Sequence, residues 1–292
     1  MAFLHARDGC ERVMRPPIRI FLLSVFCLML VVMSGLAGPP ADMARILKAR
    51  RLVVSMHQKD APPFFMTDKA GRLYGLEIEL AYDLARKLGV EVHFQRQAKT
   101  YDDVVRKVEQ HEADIAISLL SRTSKRAVSV SLSDAYVVLH HALLVNRRKT
   151  EQIARGKKPA EWLNASTVAL GAVKGSAYVE FAQRDYPAAQ VVQYSGFEAA
   201  AEAVLKGEIH AVLYDDSTVQ NWVLEHPADM LHVQMTVRQD REDPIAMAVN
   251  SEDVHLLQWI NIYLDTARKD GTLDKLVAVY LKSGNWKDPA GE

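Results

Sequence analysis

Net charge is missing from this sequence: 36 Lys and Arg stand against 36 Asp and Glu. A balanced chain offers no polybasic surface to nucleic acid. Cysteine is nearly missing as well. Cys10 and Cys27 are the only two, and everything after them is closed to disulfide and thiolate chemistry. Only one long uncharged apolar run exists, "IFLLSVFCLMLVVMSGLA" from Ile20 to Ala37. A Gly-x-Ser-x-Gly elbow and a Ser-His-Asp signature are absent, which argues against a serine hydrolase. Zinc-ligand spacing is absent. "GAVKGSA" has three spacers between Gly171 and Gly175 and no Lys immediately before Ser176, so it is not a nucleotide phosphate loop. Repeats and low-complexity tracts are absent too.

The apolar run carries its own reading. Arg15 and Arg19 precede it, and "GPPAD" follows. A basic start, an apolar middle and small residues at the end describe a secretory signal peptide over residues 1–37, with a cut expected after Ala37. The run is also long enough to span a bilayer as an uncleaved anchor. Phe26 before Cys27 rules out a lipobox, and Met14 is an alternative start. About 250 residues then remain, enough for one large or two modest domains.

Those residues alternate between strand and helix patterns. "RLVVSM" is β-branched; "GLEIELAYDLARKLG" carries an apolar stripe through Ala81, Leu84, Ala85 and Leu88 and ends on Gly89. "VEVHF", "YDDVVRKVEQHE" and "ADIAIS" continue the order strand, helix, strand. A second run of the same kind starts near Ser166 and ends with "IHAVLYD". The β-rich "YVVLHHALLVNRR" joins the two runs, and "PIAMAVN" leads back to two closing helices split by Gly271. The order implies an α/β fold of mostly parallel sheets in two lobes, joined by two extended crossovers, with a ligand cleft between them. The basic "RRKTEQIARGKKPAE" reads as a solvated surface excursion. His140 and His141 are adjacent, so on a strand they point to opposite faces and cannot share a metal. The stripe of Trp259, Ile260, Tyr263 and Leu264 reads as core.

One loop is unusually rich in donors. "SLLSRTSKRA", Ser118 to Ala127, holds four hydroxyls and three cations directly after a buried strand. In an open parallel sheet, ligands bind outside the carboxyl ends of the strands. Arg126 is the natural carboxylate partner there, because its planar fork makes two parallel charge-assisted bonds. Ser121 and Thr123 add neutral donors. The competing reading is a polar surface turn.

In order along the chain, "GLEIELAYDLARKLG", "DIAISLLSRTSKR", "VSLSDAY", "GAVKGSAYVEF", "AVLYDDS" and "DGTLDKLVAVYLKSG" resemble the periplasmic solute-binding proteins of family 3, the amino-acid receptors of ABC transporters. The resemblance covers nearly all of Arg50 to Gly284. It implies the type II periplasmic binding protein fold, with two crossover strands as the hinge. Residues 42–139 and 244–288 would form lobe 1, and residues 140–243 lobe 2. It implies that Arg126, the Arg of Thr-x-x-Arg, holds the ligand carboxylate in a loop with Ser118, Leu119 and Ser121. Asp215, at the end of "VLYD", would hold the ammonium, or the adjacent Asp216 if the register slips by one, with N-capping of the next helix as a role compatible with Asp215. Ser176 would add a donor at a strand-to-helix turn, and Tyr101 an aromatic wall.

Three positions depart from the pattern. Ala177 stands where a second hydroxyl is common, Ala61 where a stacking aromatic is common, and Gln58 where receptors for basic amino acids carry an acid. The resemblance implies a periplasmic, monomeric receptor without cofactor or nucleic acid, which takes an amino acid or related carboxylate to an ABC permease. Two alternatives use the same fold: a periplasmic dehydratase of the cyclohexadienyl or prephenate type, and a ligand-sensing module for a membrane signalling partner.

Overall fold

The structure, a computed structural model, describes residues 38–282 except 155 and 158. The expected signal segment lies outside the described residues. Among the described residues no helix is long and apolar enough to cross a membrane. The described residues hold twelve strands, numbered in chain order: β1 Arg51–His57, β2 Met66–Thr67, β3 Leu73–Tyr74, β4 Glu91–Ala98, β5 Ile115–Ala116, β6 Val130–Leu132, β7 Val137–Asn146, β8 Ala169–Val173, β9 Gln190–Tyr194, β10 Ala211–Asp215, β11 Val233–Ile245 and β12 Ala248–Asn250.

They build two five-stranded sheets, β4-β1-β5-β12-β6 and β11-β7-β10-β8-β9, plus the small hairpin of β2 and β3. β4, β1 and β5 run parallel, as do β9, β8 and β10. The antiparallel members arrive with the crossings. β7 pairs with β10, β11 with β7, and β12 with β5 and β6. At the crossing itself β7 and β11 lie side by side, Val137 opposite Ile245 and Leu139 opposite Asp243. This is the two-lobed α/β architecture with paired crossovers.

Local chemistry explains the helices around the cleft. Leu76–Leu88 has Glu77 and Glu79 in its first turn and Arg86 and Lys87 in its last, which suits the helix dipole. Gly89 ends it in the left-handed region, and Val90 N donates to Ala85 O to close the turn. Leu76, Ile78, Leu80, Ala81 and Leu84 are wholly buried against the first sheet. Tyr101–Glu109 starts with a capping box: Asp103 N donates to Thr100 Oγ1 at 3.0 Å, and Thr100 N to Asp103 Oδ2 at 3.1 Å. Ser176 caps Ala177–Asp185 and Asp215 caps Asp216–Glu225.

Two segments differ from the sequence reading. "RRKTEQIARGKKPAE" holds a helix, Arg147–Ala154, because Asn146 caps it: Lys149 N donates to Asn146 Oδ1 at 2.8 Å. Trp162 and Leu163 then tuck into the core. Ala41–Ala49, before the first strand, is also helical. It buries Met43 and Ile46, and its Asp42 accepts from His255 N and Leu256 N at the start of Val254–Lys269.

Candidate functional site

The donor-rich loop is held from three sides. Glu77, wholly buried, accepts from Leu119 N at 2.6 Å and from the Tyr136 hydroxyl. Leu119 takes a positive φ of 49° there. Ser118 Oγ accepts from His57 N at 3.0 Å. The crossover does the rest: Arg122 N donates to Pro244 O, Ala246 N to Leu120 O, and Ser121 Oγ to Asp243 Oδ2 at 3.0 Å. The loop is therefore fixed to the hinge strand rather than to its own lobe alone.

Arg126 follows at the start of a 3-10 turn, Arg126–Val128. Its Nη1 donates to Ser121 O at 2.8 Å. The residue is 7% exposed, yet among the described residues no carboxylate comes within ion-pair distance of it. Burial lowers its pKa from the ordinary value, while the negative charges of Asp102 and Asp243 oppose that shift. A cavity of about 550 Å³ and another of about 530 Å³ flank this region. Arg126 lines the second together with Thr123, Asp102, Ser176, Ala177 and Glu180.

Tyr101 belongs to the first cavity, with His57, Phe197, Tyr214 and Trp222. It stacks on His57 at 4.9 Å, and its hydroxyl accepts from Tyr214 at 3.0 Å. Tyr214 in turn packs on Tyr178 at 4.7 Å and Phe197 at 5.3 Å. A backbone bond, Asp102 N to Gly175 O at 3.0 Å, joins two residues that line the second cavity. Gly175 has φ +70°, and a Cβ there would lie 2.7 Å from Thr100 Cβ, so this close approach needs glycine.

The seven residues singled out in the sequence thus divide. Arg126 and Ser176 meet at one cavity. Tyr101 faces the other. Ser118, Leu119 and Ser121 are spent on holding the loop. Asp215, 1% exposed, turns both oxygens to Thr218, accepting from its N at 2.7 Å and its Oγ1 at 2.9 Å. The compatible capping role is fully realised. Sequence reasoning passed over Tyr178, Tyr214 and Asp243. Tyr178 sits one position past Ala177, so the helix register after Ser176 was the available signal. Asp243 in "DREDP" looks like any surface charge. His140 and His141 point apart as expected: the His141 ring stacks on Phe181 at 4.6 Å, while His140 Nδ1 lies 3.5 Å from Asp216 Oδ2. No metal-holding cluster occurs among the described residues.

Burial also raises the pKa of Glu77 and of Asp215 to about 7. A folded chain that holds protons more tightly than the unfolded one loses stability as pH rises through that window. The advantage is complete below the ordinary carboxylate range and gone above about pH 7. Thermal melts should therefore give a higher Tm at about pH 5 than at about pH 8. Because 1 kcal/mol moves Tm by about 2–4 °C in a chain of this size, the difference should reach several degrees. Glu77→Gln, which cannot ionise, should shrink it. An unchanged difference would mean that Glu77 does not titrate in this range.

The chain belongs to the bacterial extracellular solute-binding proteins, family 3, whose profile matches residues 52–283. Among its relatives is an ABC transporter glutamine-binding protein of Bacillus subtilis, 23% identical across 92% of this chain and 97% of that one. An L-cystine-binding protein of Escherichia coli is 26% identical across 74% of this chain and 77% of that one. Among solved structures, an ancestral amino-acid-binding protein described as a precursor of cyclohexadienyl dehydratase is similar. Its TM-score is 0.71 at 27% identity, covering 83% of this chain and all of that one.

Proposed function

We propose that this chain is a periplasmic receptor that captures an amino acid or a related small carboxylate between its lobes and hands it to an ABC permease. The observation that carries this reading is Arg126: a buried guanidinium with no ion-pair partner among the described residues, facing a cavity at a strand's carboxyl end. Burying such a charge without a partner is costly, and a ligand carboxylate would supply one with two parallel bonds. Ser176 and Ala177, at the start of Ala177–Asp185, line the same cavity. Family membership supports the delivery role, since the glutamine and cystine relatives are named as binding proteins. Residues 42–139 and 244–288 act as one lobe and residues 140–243 as the other, hinged at β7 and β11. The receptor works as a monomer and leaves its ligand chemically unchanged.

Thermal-shift measurement of the exported protein against the standard amino acids and small carboxylates tests this. Binding stabilises by RT ln(1 + [L]/Kd), so saturating ligand should raise Tm by several degrees. Mass analysis of the recovered ligand separates a receptor, which returns it intact, from a dehydratase, which does not. No shift from any member of the panel would remove the receptor reading.

Ala177 lines the Arg126 cavity and is 7% exposed. Ala177→Thr should therefore tighten binding of simple α-amino acids. One added hydrogen bond to a charged group is worth about 1.5–3 kcal/mol, or roughly tenfold to a hundredfold in Kd. Tight wild-type binding with no gain in the variant would show that this wall does not face the ligand.

A further inference from the structure

Three lysines gather on the first cavity. Lys59 follows β1, Lys99 follows β4 and Lys174 follows β8, so each leaves the carboxyl end of a strand. Those are the ends where a parallel sheet receives its ligand. A buried histidine joins the first two. His57 Nδ1 accepts from Lys59 N at 3.1 Å, and its Nε2 donates to Lys99 O at 3.0 Å. Burial, with the nearby charges of Lys59 and Arg96, holds the His57 pKa below the ordinary value, so the ring is neutral and can do both. The third lysine arrives from the second sheet. Its neighbour Gly175 packs on Thr100, the neighbour of Lys99, with only 2.7 Å between the place of a Cβ and Thr100 Cβ. Lys59 reaches the same way, its Nζ 3.6 Å from where a Cβ would stand on Gly196.

Charge in this cavity is unevenly matched. Its carboxylates are all engaged. Asp60 pairs with Arg96 and Glu202 with Lys206, each at 2.7 Å. Glu198 accepts from Trp222 Nε1 at 3.0 Å, and Glu225 from Asn221 Nδ2 at 3.2 Å. The three lysine ammoniums make no ion pair and no hydrogen bond among the described residues. Like charges brought together repel, and an anion placed among them relieves that repulsion. Tyr101, Phe197, Tyr214 and Trp222 supply an aromatic wall beside them. The cavity therefore suits a short apolar stem with an anionic end.

We propose that Lys59, Lys99 and Lys174 receive a second anionic group of the ligand, so that the solute is an acidic amino acid or a related dicarboxylate; this rests on the receptor reading above. Arg126 stands in the adjoining cavity. Tyr101 and Lys174 line the first cavity and their chain neighbours Asp102 and Gly175 the second, a step of about 3.8 Å between Cα atoms. A carboxylate at Arg126 and a second anion at the lysines are thus two ends of one molecule. Lys59 and Lys99 extend from the first sheet and Lys174 from the second, so the same anion draws the two sheets' loops together.

Calorimetry with pairs that differ in side-chain charge tests the assignment: L-glutamate against L-glutamine, L-aspartate against L-asparagine, and L-2-aminoadipate against its side-chain amide. The other standard amino acids complete the panel. The wild type should bind one of the acids best, and at least about tenfold more tightly than its amide, because several individually weak exposed pairs act on one group. Added salt should weaken the acid more than the amide. Lys59→Met, Lys99→Met and Lys174→Met should each narrow the ratio by weakening the acid, and the three together should bring it below about threefold. A wild type that prefers a neutral or cationic amino acid overturns the assignment and leaves the receptor reading standing. A ratio that survives the triple replacement overturns it too, as does an equal salt dependence of acid and amide in the wild type, which needs no variant to fold. Failure of the wild type to bind any amino acid or small carboxylate removes the receptor reading and the assignment with it.

Discussion

Arg126→Ala should abolish ligand binding and leave the fold standing. The guanidinium is buried beside its cavity, and among the described residues its side chain bonds only a backbone carbonyl, Ser121 O. The loop does not depend on that bond. Glu77, the His57 amide and the β11 crossover hold it independently. Losing a charge-assisted contact in a closed cleft costs about 2–5 kcal/mol, which takes micromolar binding beyond millimolar at the upper end. Arg126→Lys should also bind poorly, because an ammonium cannot form the fork. Circular dichroism confirms that the variant is folded, and calorimetry with the amino acid giving the largest thermal shift reads the loss. Undiminished affinity would take Arg126 out of the site.

The largest effect on stability is expected at Gly75→Ala. Gly75 caps Leu76–Leu88 with φ +129°, and a Cβ there would lie 2.4 Å from Phe64 O and 2.9 Å from Phe65 Cα. Those are backbone atoms, and they cannot swing aside. The same strand of backbone accepts from the helix start: Leu76 N donates to Pro63 O at 3.1 Å, and Glu77 N to Phe64 O at 2.8 Å. Relieving the clash means breaking these bonds and shifting Glu77, on which Leu119 depends. A loss above about 4 kcal/mol is expected, in the exceptional range for a point change. Urea unfolding measures it. A change within about 1 kcal/mol would mean that the helix start does not pack this closely.

Much of this architecture was legible because its signals are local. The apolar stripe of Leu76–Leu88 and its Gly89 stop, and the break at Gly271, follow from helix periodicity and capping alone. Two parallel runs with β-rich crossings follow from the order of strands and helices. The first helix, Ala41–Ala49, was missed because only two of its residues are buried and its anchor lies 213 residues away, where Asp42 meets His255. The site divides in the same way. Arg126 and Ser176 are suggested by loop and turn patterns, and Tyr101 by the family resemblance alone. The Ser121–Asp243 bond spans 122 residues, and the Tyr101–Tyr214 bond spans 113. No local pattern encodes such a contact. It exists only once β11 has brought the second lobe back to the Arg126 loop.

The central claim is that Arg126 recognises a free carboxylate in the cleft, and one titration addresses it directly. The wild-type protein is titrated calorimetrically with its best amino acid and with the amide of that amino acid, which keeps the ammonium and side chain but has no carboxylate. Saturable one-to-one binding of the acid, with the amide weaker by at least about thirtyfold, the lower end of a charge-pair loss, is the expected result. Equal binding of the two would contradict the account.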